Sequence, residues 1–304
     1  MDKSSHTEPS PSPEGATRPR AKWGQERRLE FIDYRLRWGG ELNRSDLTGF
    51  FGISVPQASL DLAEYSKRAP DNLEYDPSAR IYRAASDFVA IFPTSDHARY
   101  LEDLLRVAVD SEVPYGSFLG WHPPVSALPR PWRRLEASIV ISVVQAIRHS
   151  QQLDVRYQSF SDESPSVRSV TPHALVSDGF RWHMRAYCHK RQDFRDFLLS
   201  RVLDIAGSKA DRDRAGEDDA WHRQVRLVLV PHPELAPAHQ ALIELDYGMR
   251  EGQCELKCRQ SLLFYVLQQL GLGDPEAVRS PGQQHLALKN RAELAPFLPR
   301  SALR

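Results

Sequence analysis

Arginines set among apolar residues on short strands are the side chains in this 304-residue chain best placed to do chemistry. Between Gln152 and Asp204 four segments, LDVRYQSF, RSVTPHALVSDG, FRWHMRAYC and FRDFLLSRVLDI, are separated by turn-rich stretches. In the third, Phe180, Trp182, Met184, Ala186 and Cys188 fall on one parity, and Arg181, His183, Arg185 and Tyr187 on the other. Period-two alternation predicts strands with one buried and one accessible face. On the fourth segment Arg195 and Arg201 share a parity with Phe197, Leu199 and Leu203. A guanidinium is costly to bury unpaired, so arginines repeated on adjacent strands predict a concave site for an anion. The candidate ligand-binding residues are Tyr157 and Ser159, Arg168 and His173, His183 and Arg185, and Arg195 and Arg201, two on each strand. Arginine forks hold phosphates bidentately, and Tyr157, Trp182 or His183 could stack on a base, which suits a nucleic-acid fragment or a nucleotide. The blander alternative pairs Arg195 and Arg201 with Asp196, Asp204 or backbone carbonyls. Trp182 and Phe197 read as core.

Other chemistry does not assemble. The glycines match neither a Walker nor a dinucleotide pattern. His173, His183 and His189 have no nucleophile elbow beside them. His183 and Cys188 have opposite strand parity, so they face apart, and no strand face carries paired carboxylates. Three cysteines, Cys188, Cys254 and Cys258, suit a reducing cytoplasm rather than a disulfide framework. Cys254 and Cys258 lack the second ligand pair of a zinc site. The expectation is a non-enzymatic protein with no cofactor and no metal. No apolar run approaches the ~20 residues of a membrane span, and no signal-peptide pattern opens the chain, so a cytoplasmic location without a membrane partner is expected. Lys plus Arg and Asp plus Glu each number 40, so anion binding must come from local patches.

The elements that must position these residues form an α+β, multidomain chain. Residues 1–20, rich in Ser, Pro, Thr and Glu, read as a disordered tail. Within residues 21–90, Arg27 to Trp38 has helical spacing and stops at Gly39-Gly40. Asn43 or Arg44 opens a short helix that Gly52 ends, and Ser54 caps a third with Pro56 in its first turn. A hairpin follows, Leu73-Glu74-Tyr75 and Arg80-Ile81-Tyr82-Arg83. This is the order of a winged helix-turn-helix. Residues 91–150 read as a helical connector with helices from Thr94 and from Leu135. Its apolar stretch Pro114–Pro131, carrying Trp121, should pack on a domain or on a second subunit. Residues 151–206 hold the four segments above. A charged linker spans 205–220, and a β-α-β-α-β unit with a final short helix occupies 221–304.

Small and polar side chains at the start of the third helix would let it enter a major groove about 12 Å wide. The candidate DNA-binding residues are Ser54, Gln57, Ala58, Ser59 and Tyr65 on that helix, Arg44 and Ser45 before it, and Arg80 and Arg83 on the hairpin. Gln57 could pair with adenine, Ala58 could touch a thymine methyl, and the arginines would meet phosphates or the minor groove. A helix-turn-helix kept only for protein docking is the alternative. Charges nearly balance through this block, so a dimer on a two-fold repeated site is the natural arrangement.

Tyr157 and Ser159, Arg168 with Val170-Thr171-Pro172-His173, and Arg195 to Val202 resemble the WYL domain, a small Sm-like β-barrel of bacterial regulators. Trp182-His183-Met184 departs from the naming tripeptide. The phrase from Phe51 to Leu62 is similar to the winged helix of WYL repressors encoded beside BREX and CBASS phage-defence operons, and the order of blocks matches from about residue 24. The resemblance implies a homodimeric repressor of a phage-defence operon that binds a double-stranded DNA operator with an inverted repeat. It also implies an oligonucleotide or nucleotide effector in the WYL domain and a C-terminal extension that dimerises. An activator responding to single-stranded DNA, an accessory nucleic-acid-binding subunit, or an enzyme acting on nucleic acid are the other readings.

Overall fold

The computed structural model describes residues 19–93, 96–110, 116–129, 131, 133–273 and 280–298. The expected tail lies almost wholly outside the described residues, as do Thr94 and Ser95, the expected caps of the connector helix. The chain forms two compact units, Met1–Pro129 and Arg130–Arg304.

In the first unit, helix α1 (Pro19–Gly39) buries Leu29, Phe31, Ile32, Tyr34 and Leu36. Helix α2 (Arg44–Phe51) starts with a capping box: the Asn43 side chain accepts from the Asp46 amide, and the Asp46 carboxylate accepts from the Asn43 amide. Gly52, at φ 63°, ends α2 in the left-handed conformation that a side chain would disfavour. Helix α3 (Val55–Arg68) is capped by the Ser54 hydroxyl, which accepts from the Gln57 amide at 3.3 Å. Strands β2 (Leu73–Asp76) and β3 (Ile81–Ala84) make the hairpin. A two-residue strand β1 (Glu41–Leu42), too short to leave a sequence pattern, pairs with β3 and widens the wing to three strands. Helix α4 (His97–Asp110) adds Tyr100 and Leu104 to the core. From the apolar connector, Phe118 and Leu119 enter that same core, Phe118 edge-on to Phe31 at 5.4 Å.

A buried polar clip secures the return from the wing. The Tyr65 hydroxyl donates to Asp33 at 2.6 Å and accepts from Asn72 at 3.0 Å. Asp33 also accepts from the Ile91 and Phe92 amides. Burial, and the hydrogen bond to Asp33, push the Tyr65 phenol well above its ordinary pKa. Tyr65→Phe is expected to cost about 1–2 kcal/mol, read as a lower urea midpoint of unfolding. An unchanged midpoint would show that the clip carries no stability.

The second unit begins with helix α5 (Ala137–Arg148) packed on an antiparallel sheet of five strands, β4 (Gln151–Tyr157), β5 (Ser166–Ser177), β6 (Trp182–Cys188), β7 (Asp193–Leu198) and β8 (Val202–Ala210). Their order is β7-β6-β5-β4-β8. The expected fourth segment is therefore two strands, joined by a 3-10 turn at Leu199–Arg201. Because β7 and β8 lie on opposite edges yet are joined by three residues, the sheet must curl on itself. Register shifts in β4 and β5 bend it further. Strand β8 runs to Ala210, so the first third of the expected linker is paired with β4.

The C-terminal module is a three-stranded antiparallel sheet, β9 (Gln224–Pro231) between β10 (Cys254–Arg259) and β11 (Leu286–Leu288). Helices α6 (Asp219–His222), α7 (Pro237–Asp246), α8 (Leu263–Gln269) and α9 (Arg291–Leu294) accompany it. Leu227, Leu229, Ile243, Leu263 and Leu267 form its core.

Candidate nucleic-acid interface and ligand site

On α3 the inward face is Ala58, Asp61, Leu62 and Tyr65. Two expected DNA contacts are therefore corrected. Ala58 is 0% exposed, and Tyr65 is buried in the clip. Position near the helix start had suggested Ala58, but a helix turns 100° per residue, and the face decides. The outward residues are Val55, Pro56, Leu60, Ala63, Lys67 and Arg68, with Ser59 partly exposed. Leu60 is 63% exposed. Val55 and Leu60 were legible as apolar residues off the core period of an amphipathic helix.

Gln57 is partly engaged. Its amide donates to Asp61 at 3.1 Å, and Arg28 grips the buried Asp61 at 2.6 and 3.2 Å. Arg44 also departs from expectation. Its guanidinium donates to the Ser59 hydroxyl at 3.1 Å and the Tyr82 hydroxyl at 2.6 Å, and lies over the Tyr75 and Tyr82 rings. It braces the helix against the hairpin, and is not held out toward phosphate. Ser45 donates to the Asn43 side chain and is exposed, as is Ser54. Arg80 stands exposed at the hairpin tip, at φ 58°, and Arg83 is exposed with Asp76 at 3.4 Å. Cap, helix and wing thus leave Ser45, Ser54, Ser59, Arg80 and Arg83 on the surface.

The eight expected ligand residues separate. The polar parity of β6, expected to face solvent, is covered. Arg185 is buried and grips Asp218 bidentately, Nε at 2.7 Å and Nη2 at 3.0 Å, with Asp196 at 3.3 Å from Nη1. His173 is the residue that a bulge leaves unpaired between Pro172 and Ala174. The bulge aims it at Asp218 at 3.0 Å, between Phe194 and Trp221. His183 is buried against Asp178 at 3.2 Å and the Tyr265 ring at 5.1 Å. The Tyr265 hydroxyl donates to Asp196 at 3.1 Å. His173, His183 and Arg185 are structural: they fasten the sheet to α6 and α8. Two of the partner acids, Asp211 and Asp218, lie within the expected linker, and Asp178 and Asp196 precede it. The Thr171 hydroxyl donates to Asp211 at 2.6 Å, and Arg214 binds the same carboxylate at 3.0 Å. Burial alone would raise the Asp218 pKa, but hydrogen bonds from His173 and Arg185 and the arginine charge outweigh it and hold it well below the usual range. In the same way desolvation of Asp178 is outweighed by hydrogen bonds from Phe180, Arg181 and His183, leaving its pKa at about 2.

The other residues lie elsewhere on the sheet. Tyr157 is buried edge-on to Phe197 at 5.2 Å, its hydroxyl accepting from the Leu198 amide. Arg168 is tied to Asp162 at 2.6 Å and to Ser166. Ser159 bonds Ser161 in the same β4–β5 loop. Arg201 lies 5.5 Å from the exposed Phe160 ring, and Arg195 is 53% exposed beside Asp193. The 3-10 turn breaks the parity expected to join Arg195 to Arg201. Phe197 is core, as expected, but Trp182 is 48% exposed and is not. Among the described residues no His, Cys, Asp and Glu group is arranged to hold a metal, and no helix is long and apolar enough to cross a membrane.

Three family descriptions match the chain: the BrxR transcriptional regulator winged helix-turn-helix domain over residues 24–106, the WYL domain over 138–206, and the BrxR transcriptional regulator C-terminal dimerization domain over 224–294. The chain is 56% identical over 297 residues to the DNA-binding transcriptional repressor CapW of Pseudomonas aeruginosa, covering 98% of this chain and 99% of that one. It is 53% identical over 278 residues to the CapW repressor of Escherichia coli (strain KTE188), covering 91% and 93%. With CapW of Stenotrophomonas maltophilia it shares 44% identity over 281 residues, covering 92% and 94%. With likeness over nearly its whole length and the winged helix, curled sheet and terminal module in the matching order, the chain belongs to the CapW family of WYL-domain transcriptional regulators.

Proposed function

We propose that this protein is a DNA-binding transcriptional repressor that acts as a homodimer on an inverted repeat upstream of a phage-defence operon, and that it is a regulator rather than an enzyme. The observation that carries the reading is the outward face of α3. It is capped by Ser54, braced to the wing by Arg44, and flanked by the exposed Arg80 and Arg83. A helix so held can lie in a major groove while the wing meets phosphates. Dimerisation is assigned to the C-terminal module, where exposed Leu242 and Leu245 on α7, with Tyr247 just after it, form an uncovered apolar surface.

The effector site is reassigned to the β4–β5 loop and the β7–β8 turn. Ser159, Phe160 and Arg201 could meet a base and its phosphate there, with Arg168 released from Asp162. An effector switches the protein only by preferring one state of the dimer.

The test is a titration on the gene's own upstream DNA and on scrambled DNA at two salt concentrations, since phosphate contacts alone weaken steeply with salt. The expected result is a salt-robust preference for the upstream DNA with two protomers per site. Short oligonucleotides or cyclic nucleotides should release wild type from that DNA but leave Arg201→Ala bound. Equal, salt-sensitive binding to both DNAs would overturn the repressor reading and favour an accessory nucleic-acid-binding subunit.

A further inference from the structure

Hydrogen-bonding side chains are scarce where α3 would meet bases. At about 3.6 residues per turn, Val55, Pro56, Ser59, Leu60 and Ala63 fall within an arc of about 140°, on the side away from Ala58, Asp61, Leu62 and Tyr65. All but Ser59 are apolar, and Val55 and Leu60 are 58% and 63% exposed. The Ser59 hydroxyl is used in both directions. It donates to the Val55 carbonyl at 3.1 Å and accepts from Arg44 Nε at 3.1 Å.

The polar groups around this arc are engaged as well. Gln57 turns its amide nitrogen to Asp61 at 3.1 Å. The Ser54 hydroxyl accepts from the Gln57 amide at the cap. Arg68 is held between Glu64 at 2.9 Å and Glu26 at 3.0 Å. Lys67 is exposed, but it lies about 18 Å along the axis from Val55, in the last turn of the helix. Recognition helices meet base edges with their N-terminal residues. Positive charge therefore stands at the borders, on Arg80 and Arg83 of the wing and on Lys67, while the middle is apolar. Phosphates border the floor of a major groove on both sides. That layout matches cations beside an apolar stripe, and it makes DNA rather than a second copy of the chain the occupant of this face.

We infer that α3 reads its DNA site through thymine C5-methyl groups, with Val55 and Leu60 as the specificity-determining residues. The inference rests on the repressor reading above. In the major groove the bases offer N7, O6 and O4 acceptors, N4 and N6 donors, and one apolar group, the thymine methyl. Val55 and Leu60 can neither donate to the acceptors nor accept from the donors. They gain only by taking the methyl out of water. The methyl contact expected of Ala58, which is buried, passes to these two exposed neighbours. Cytosine methylated at C5 carries its methyl at the same ring position as thymine, so this face should accept it in thymine's place.

The test is a competition titration of the full chain on its upstream DNA with altered bases. Deoxyuridine in place of thymine removes only the methyl. Each methyl covered by Val55 or Leu60 should cost about fourfold in affinity, and four of them over two half-sites on the order of 100-fold. At the sensitive positions a C·G pair should bind as weakly as U·A, and 5-methylcytosine·G should return to within about twofold of T·A. In Leu60→Ala the deoxyuridine penalty should shrink, whereas Gln57→Ala should keep it. Upstream DNA preferred over scrambled DNA, but bound equally with thymine or deoxyuridine, would overturn the inference and leave the repressor reading standing. So would 5-methylcytosine that binds no better than cytosine, since hydrogen bonds would then be the readout. Equal binding to upstream and scrambled DNA would remove both readings. A Leu60→Ala protein that loses its dimer would also overturn the inference, by making this face a subunit contact.

Discussion

Asp218→Ala is expected to destabilise the C-terminal unit by about 3–5 kcal/mol, the cost of breaking a buried ion pair from one side. Asp218 is buried at the start of α6, accepting from both ends of the Arg185 fork, from His173 and from the Trp221 amide. Without it Arg185 keeps only Asp196, and a desolvated charge is left half paired. Urea unfolding should show the loss. Replacing both partners, Asp218→Leu with Arg185→Met, should recover much of it, because well-packed apolar pairs replace buried ion pairs at little net cost. A single Asp218→Ala protein with wild-type stability would sink the account. Acid sensitivity follows with a definite sign. Asp178, Asp211 and Asp218 all have lowered folded-state pKa values, about 2 for the first two. Their contribution is full above the unfolded carboxylate value of about 4 and is lost as pH falls through the folded values. The melting temperature should therefore drop steeply between about pH 4 and pH 2, and less steeply in the Asp218→Leu, Arg185→Met double variant.

Leu60→Glu is expected to lower affinity for the upstream DNA at least ~100-fold, with an unchanged melting temperature. Leu60 is exposed on the outer face of α3, so the fold does not depend on it. A carboxylate there would meet the phosphate field of the groove and forfeit apolar contact with base methyls. Gln57→Ala should have a smaller effect, because the Gln57 amide already serves Asp61. Enlarging Ala58 should unfold the unit before DNA is involved, since that position has no exposed surface. The three substitutions lie within four residues, and their ranking distinguishes a helix presented by its face from one presented by its N-terminus. Wild-type affinity for Leu60→Glu would remove α3 from the groove.

Local signals carried the winged helix well. Asn43, Gly52 and Ser54 are cap and turn residues whose chemistry acts within four positions, and each sits where that chemistry put it. Strand parity carried Met184, Ala186, Cys188 and Phe197 into the core for the same reason. Parity says which residues share a face; it does not say what covers the face. Arg185, His173 and His183 alternate as an open polar surface would, yet acids 5 to 45 positions away along the chain satisfy them. Those acids lie in stretches whose composition is that of a solvated turn or linker. Arg44 failed in the same way: a basic residue before a recognition helix looks like a phosphate contact until Ser59 and Tyr82 close on it.

The network around Asp218 also fixes where this chain can be cut. A piece ending at Ala210 would keep every strand of the curled sheet, yet it would strand Arg185 with Asp196 alone and leave the bulged His173 without its carboxylate. The next residues, Asp211 to His222, belong physically to the sheet though they form none of its strands. A recombination event that exchanged the terminal module at the last strand would inherit a curled sheet with broken fastenings. One that crossed over after His222, before β9 begins, would leave the carboxylate fastenings intact, although it would still part Tyr265 from Asp196. The inheritable boundary of the curled-sheet piece therefore lies about a dozen residues beyond the end of its last strand.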